Sequence, residues 1–411
     1  MYDVLDELET AWHAGRTVGL ATLTGTWHSA PRPPGATMLV DEDRAVGSVS
    51  GGCVEGAVYE LAREVAAEGS PVLTRYGVSD GDALEVGLTC GGQLELFVQP
   101  VSATTFPDLP EVVADIRSGR PVAVATVIEH PDPGLVGQRL VVRPEGLEGR
   151  PQAASHLDHH PVVEVRRRSL ETSGGLEVRP RAASHLDQRM STRQVAALTD
   201  DARGLLAQGL SEVLTYGPDG ERRGEGMRVF VEAFAPPPRL IVFGAIDFAS
   251  AMADQGRLLG YRVTVCDARP TFATAERLPG AHEVVVRWPH EYLREEAEAG
   301  RIDARTVLTV LTHDPKFDTP LLEVALRLER VAYVGAMGSR RTHDQRLAQL
   351  REVGVTDEEI ARLSSPIGLD LGARTPEETA VSIAAEIISL RWGGAGSRLS
   401  DRGGPIHHPH A

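Results

Sequence analysis

Cysteine is scarce in this 411-residue chain, which holds only Cys53, Cys90 and Cys266. So small and odd a number excludes a disulfide framework, and a reducing compartment is expected. Long apolar runs are missing too. No stretch of 18 apolar residues occurs, which argues against a membrane-spanning helix. The N-terminus, MYDVLDELETAWHAGRTVGLATL, carries acidic residues early and lacks the unbroken apolar core of a secretion signal, so the expected location is cytoplasmic. Positive charge is also in deficit. The formal net charge of -16 opposes binding to nucleic acid or an anionic membrane, since both favour a basic surface.

What is present resembles an ordinary folded protein, with 42% hydrophobic and 24% charged residues in a chain longer than one domain usually is. Two or three domains are expected. The clearest architectural sign runs from Arg239 to Arg269, where a strand, a tight glycine turn and a helix lead to a second strand ending in Asp267. Cys266 lies in that strand and reads as core. Further strands follow at EVVVRW, TVLTVLT and VAYVG, the last two leading into helices, which predicts α/β structure with a Rossmann-like parallel sheet covered on both faces. The turn lacks the second glycine of the dinucleotide-binding fingerprint. Gly244, Ala245, Ile246 and Asp247 put a branched side chain, then a carboxylate, where a pyrophosphate would lie, so NAD(P) is not expected there. Asp267 stands near the offset of a ribose-binding acid, and equally suits capping its own turn.

In the N-terminal half, Pro31, Pro33 and Pro34 exclude helix, and Arg32 among them either meets an anion or sits as a solvated loop charge. A short strand then leads through a glycine turn, Ser50 to Cys53, into an amphipathic helix from Val54 to Ala67. Exposed amides and the helix dipole at such a place lower a thiol pKa, which makes Cys53 a candidate nucleophile or soft-metal ligand. The alternative is a small residue packing the helix start. Cys90 repeats the feature before Gly91, Gly92 and the strand Gln93 to Val98. If both turns face one cleft, the thiols can hold a soft metal or pass sulfur between them, whereas neither has the C-x-x-C spacing of structural zinc. Between Gly146 and Met190 the chain repeats itself, as GLEGRPQAASHLD and GLEVRPRAASHLD. Two copies are too few for a solenoid, so this reads as a surface insertion. Its histidines His156, His159, His160 and His185 are too irregularly placed to predict a metal site. Pro236 to Pro238 then put a domain boundary near Ala235.

Two later loops carry polar clusters. His313, Asp314, Pro315, Lys316 and Asp318 follow a buried strand at its carboxyl end, where ligands of open α/β sheets gather. His313 suits a proton carrier or ligand there, or the cluster simply caps a helix. After the strand Val331 to Gly335, Gly338, Ser339, Arg340 and Arg341 offer amides and guanidinium groups to an anion. Thr375, Pro376 and Glu378 form a capping box that predicts a helix from Pro376 to about Arg391, preceded by a glycine-bearing loop containing Asp370.

Taken in order, SGGCVEG (Ser50 to Gly56), LTCGG (Leu88 to Gly92), HDPKFD (His313 to Asp318), YVGAMGSRRT (Tyr333 to Thr342) and PIGLDLGARTPEE (Pro366 to Glu378) make a chain that resembles the XdhC/CoxI family. The resemblance implies an N-terminal α/β XdhC/CoxI domain over residues 1–235 with the duplicated insertion near 146–190, a Rossmann-like domain over 236–395, and a flexible tail over 396–411. It implies an accessory factor with no assigned catalytic residue. Such a chaperone transiently binds the molybdenum cofactor, as molybdopterin or its dinucleotide form, assists its sulfuration with a cysteine desulfurase, and inserts it into a molybdenum hydroxylase of the xanthine dehydrogenase type. A homodimer is expected. The implied binding residues are Cys53 and Cys90 on the metal, Arg32, Gly51, Gly52 and Gly91 around them, and His313, Asp314, Gly338, Ser339, Arg340 and Asp370 completing a pocket at the domain interface. Two features depart from the family pattern: the first Rossmann turn usually reads G-A-G-H, and the duplication has no counterpart. An NAD(P)-dependent oxidoreductase and a non-catalytic scaffold for hydroxylase assembly are the alternatives.

Overall fold

The computed structural model describes residues 1–27, 32–77, 92–144, 190–217, 220–312 and 314–403. Cys90, Gly91, His313, residues 146–189 of the duplicated segment and residues 404–411 lie outside the described residues.

The N-terminal half is built on two antiparallel sheets. Strands β1 (Val18–Trp27), β2 (Thr37–Asp41), β3 (Arg44–Gly47), β4 (Val72–Tyr76) and β5 (Gln93–Val101) pair in the order β3-β2-β1-β5-β4. Strands β6 (Val122–Glu129), β7 (Arg139–Val142), β8 (Glu212–Tyr216) and β9 (Met227–Phe234) pair in the order β7-β6-β9-β8. Strand β5 is buried along almost its whole length because both of its faces are covered. Helix α2 (Glu55–Glu68) lies on one face through Val58, Ala62 and Val65, which recur at the spacing of one helical side. On the other face Phe97 meets Ile128 and Phe230 of the second sheet. Helices α1 (Leu5–His13) and α3 (Leu109–Arg117) close the flank, and α4 (Thr192–Gln208) covers the far side of the second sheet. The layers thus run helix, sheet, sheet, helix. Helix α2 sits directly on the backbone of β1: a Cβ added to Gly19 would lie 2.1 Å from the Ala62 carbonyl oxygen. The Met1 side chain is buried, and the Met1 ammonium pairs with Glu232 of β9.

The C-terminal half has one parallel sheet, made of β10 (Arg239–Phe243), β11 (Arg262–Asp267), β12 (Glu283–Val286), β13 (Val307–Val310), β14 (Tyr333–Ala336) and β15 (Leu363–Ser364), in the order β12-β11-β10-β13-β14-β15. This is the doubly wound Rossmann order, and it reverses between β10 and β13, which opens a crevice at their carboxyl ends. Helices α5 (Asp247–Leu258) and α10 (Pro376–Trp392) cover one face around Leu240, Met252 and Ile383. The other face is covered by α6 (Pro289–Glu298), α7 (Pro315–Arg327), α8 (Arg340–Glu352) and the short α9 (Asp357–Ile360), around Phe243, Leu322 and Leu350. Burial on both faces is why the central strands read as continuous apolar runs. Helix α10 starts at the capping box of Thr375 and Glu378 and ends at Gly393, whose φ of 68° a side chain would resist.

The two halves meet at the amino edge of the parallel sheet. Arg305, just before β13, donates to the Pro236 carbonyl at 2.9 Å. A groove of about 470 Å³ between the halves is lined by Tyr2, Gly209, Pro237, Leu259, Arg305 and Arg391. Leu259 and Arg391 lie at the carboxyl ends of α5 and α10, and helices that alternate with parallel strands end at the sheet's amino edge. Among the described residues no helix is long and apolar enough to cross a membrane.

Candidate functional site

Cys53 lies half-buried two residues before α2, packed against the cluster of Ala21, Met38, Val49 and Val58. Gly51 and Gly52 hold the preceding turn at φ 75° and 120°, and a Cβ on either would meet nothing within 4 Å, so backbone conformation and not crowding selects glycine. A helix start of this kind is expected to turn its amides towards a Cys53 thiolate. Instead they face Glu55. Its carboxylate accepts from the amides of Ser50 (2.8 Å), Gly52 (2.8 Å) and Val54 (3.2 Å), and from the hydroxyls of Ser48 and Ser50. The Cys53 amide itself donates to Ser50 Oγ at 3.0 Å. Glu55 thus occupies the place of a bound anion.

Burial works to raise the Glu55 pKa, but the Ser50 and Ser48 hydroxyls and the turn amides outweigh it and bring it down to about 2. A folded-state pKa below the ordinary value means that the stabilisation is complete above the unfolded pKa of about 4.5 and fades as pH falls towards 2. Glu55→Gln is therefore expected to cost about 1–3 kcal/mol at pH 7, the scale of hydrogen bonds to a charged group. Its melting temperature should approach that of the wild type as pH drops below 4.5; a constant gap from pH 7 to pH 2.5 would contradict this account.

Arg32 is not turned to an open anion site. Its guanidinium pairs with Asp3, which ties the proline-rich loop to the start of the chain.

The carboxyl edge of the parallel sheet collects the second group of residues. At the first turn, Gly244 takes φ 107° and its amide donates to the Cys266 carbonyl. The Ala245 amide donates to the buried Asp267 at 2.7 Å. Asp267 also accepts from the Arg269 amide (2.9 Å) and from two nitrogens of its guanidinium (2.9 and 2.7 Å). Burial pushes the Asp267 pKa up, and these donors pull it lower still, so it remains an engaged anion. Of the two roles open to Asp267, locking its own turn is the one its contacts serve. Ile246 packs against the core cluster under α5. Buried Cys266 is part of the core on the other face, its thiol pushed up to about 12 by burial.

Asp314 caps α7, accepting from the Lys316 amide at 3.1 Å and lying 3.1 Å from its ammonium. The hydrogen bonds from Lys316 and the charge of Arg269 hold Asp314 below the ordinary carboxylate range. Ser339 caps α8 by accepting from the Thr342 amide at 3.1 Å, and Gly338 packs its backbone on Thr342. Arg340, Arg341 and Asp370 are exposed along this edge. Below them runs a buried ion pair that the motifs did not announce. Asp318 and Arg346 are 4% and 3% exposed. Asp318 accepts from Thr312 Oγ1 and from Arg346 at 3.1 Å, and Arg346 also donates to the Met337 carbonyl (2.8 Å) and Ser365 Oγ (2.9 Å). One arginine thereby holds the loops after β13, β14 and β15 in register.

The expected single pocket at the domain interface needs correction. The halves pack through the amino edge of the parallel sheet, whereas the loops of Asp314, Gly338 to Arg341 and Asp370 open at the carboxyl edge. Cys53 packs within the N-terminal half. The two groups are thus separate surfaces of one chain.

Two residues inside the motifs, but not among the expected binding residues, stand out. Glu55 sits two positions after Cys53, and nothing in the neighbouring sequence distinguishes a carboxylate that folds back from one in solvent. Lys316 did carry a signal: among 42 Lys and Arg residues it is the sole lysine of the chain.

The family described as the XdhC Rossmann domain matches residues 240–387, and the XdhC and CoxI family matches residues 11–77. A molybdenum cofactor insertion chaperone of Escherichia coli (strain K12), PaoD, is 27% identical over 380 residues, covering 92% of this chain and 85% of that protein. A probable xanthine dehydrogenase component of Bacillus subtilis (strain 168) is 24% identical, covering 90% of this chain and 92% of that one. Among solved structures, a xanthine dehydrogenase from Bacillus halodurans superposes with a TM-score of 0.58 at 22% identity, covering 94% of this chain and 95% of that one, which establishes the shared fold.

Proposed function

Since this chain belongs to the XdhC and CoxI family, we propose that it is a chaperone that receives the molybdenum cofactor and inserts it into a molybdenum hydroxylase of the xanthine dehydrogenase type. The observation that carries this reading is the end-to-end likeness to PaoD, which spans both halves of the chain. In it, Cys53 meets the cargo as a soft ligand beside the open turn of Gly51 and Gly52, with Cys90 and Gly91 as its counterparts. The turn suits a soft centre better than a phosphate, because Glu55 already takes the amides that a phosphate needs. The phosphate end then falls to the cationic carboxyl edge, to Arg340, Gly338, Ser339 and His313, with Asp314 and Asp370 beside them. Because the two surfaces of one chain stand apart, the reading includes a homodimer in which a second copy brings them together. Sulfuration by a cysteine desulfurase precedes delivery.

Protein purified from a cofactor-producing host should carry molybdopterin and should activate a cofactor-free hydroxylase. Cys53→Ala and Cys53→Ser should reduce activation at least about tenfold, since loss of even an outer partner of a metal ligand commonly costs about 10- to 100-fold in affinity. Full activation by both variants would remove Cys53 from the mechanism. Absence of cofactor from the wild type, together with no activation, would remove the chaperone reading.

A further inference from the structure

Three loops at the carboxyl edge bring aromatic rings and cations together. Trp288, between β12 and α6, is 44% exposed although its ring is fixed from behind by Phe317 at 5.2 Å and His290 at 6.1 Å. Phe317 belongs to α7, and Lys316 beside it sets its ammonium 4.8 Å from the Phe317 ring. The Lys316 side chain is 62% exposed. In the loop after β11, Phe272 lies between Arg269 (4.7 Å) and Arg277 (5.6 Å). Arg269 follows the carboxyl end of β11 and Lys316 follows that of β13 in the first turn of α7, so both stand on the same edge of the parallel sheet. Three cations gather at this edge, each beside a carboxylate: Arg269 with Asp267, Arg277 with Asp247, and the chain's sole lysine, Lys316, with Asp314. Lysine and arginine are not equivalent here. A guanidinium beside Asp314 would close a two-point clamp on its carboxylate, whereas an ammonium keeps donors for another anion.

We propose that Trp288, Lys316 and Arg269 form a binding site for a planar heteroaromatic anion. Its ring stacks on the open face of Trp288, and its phosphate or carboxylate lies between Lys316 and Arg269. A held but exposed indole is the element that stacking on a flat heterocycle requires, and it stands at the carboxyl edge, where open α/β sheets take ligands. A pterin and a nucleobase share this chemistry. That the natural ligand is a pterin rests on the chaperone reading; the site itself does not.

Calorimetric titration at low salt with pterin 6-carboxylate and with GMP tests the proposal. One or both should bind the wild type. Trp288→Leu should weaken binding about tenfold or more, as loss of a stacking partner does, while Trp288→Phe retains most of it. Lys316→Ala and Lys316→Arg should both weaken it. Tighter binding of the pterin than of GMP, with this variant pattern, supports a pterin site; the reverse preference supports a nucleotide site. No binding of either probe, or equal binding by wild type and Trp288→Leu, overturns the site, and equal binding by Lys316→Arg overturns the role of the lysine. If the wild type carries no molybdenum cofactor and activates no hydroxylase, yet binds a probe through Trp288, the chaperone reading fails and the site stands. If wild type and Trp288→Leu carry cofactor equally, the assignment of a pterin to this site fails and the chaperone reading stands.

Discussion

Arg346→Ala should destabilise the C-terminal half by about 3–5 kcal/mol, the usual result of removing one partner from a buried ion pair. The substitution deprives the buried Asp318 of its arginine and takes hydrogen bonds from the Met337 carbonyl and Ser365. Thermal or denaturant melting of the full chain should show the loss as an early transition. Burying two charges is itself unfavourable, so a well-filled apolar replacement of both, such as Arg346→Met with Asp318→Leu, should recover a good part of the stability. It should not recover the register of the three loops that Arg346 joins. A loss below about 1 kcal/mol in Arg346→Ala would show that the pair contributes little to the fold.

The second large effect is expected at Gly19. An alanine there places its Cβ 2.1 Å from the Ala62 carbonyl oxygen and 2.7 Å from the carbonyl carbon, both of them backbone of α2. Helix α2 must lift from the sheet, and overpacking of this kind typically costs about 1–3 kcal/mol. The same helix carries the Cys53 turn at its amino end, so alkylation of Cys53 by iodoacetamide should speed up along with the loss of stability. Gly56→Ala is the control. An added Cβ there meets nothing within 4 Å, and alanine favours helix, so stability should hold or rise. Unchanged stability and alkylation in Gly19→Ala would mean that α2 does not rest on β1 as the structure has it.

Much of the architecture was legible because periodicity and punctuation agreed. The strand starting at Gln93 and the helix starting at Pro376 were readable at their first residues, one from alternation and the other from its capping box. Helix α6 was hidden for a physical reason. Its inward face includes Glu296, a carboxylate that Arg239 and Arg301 each meet at 2.6 Å, so the apolar stripe is interrupted by a charge. Strand β15 has two residues and no pattern to read. At the site, the glycine turn before Cys53 and the loops at the strand ends were visible as motifs. Their relation was not, because which edge of a sheet a neighbouring unit covers depends on surfaces such as those of Leu259 and Arg305, whose pairing no local pattern records. Glu55 was hidden likewise, since a turn that supplies its own anion looks in sequence like one that awaits a ligand.

The near-total use of arginine gives the protein an unusual chemical address. Reagents that acylate primary amines pass over guanidinium groups, and the terminal ammonium is sheltered against Glu232. Lys316, exposed at the rim of the crevice, is then the one side chain that a dye or cross-linker of this type can label. Any cellular acetylation or ubiquitylation of a lysine in this chain must fall on that same nitrogen.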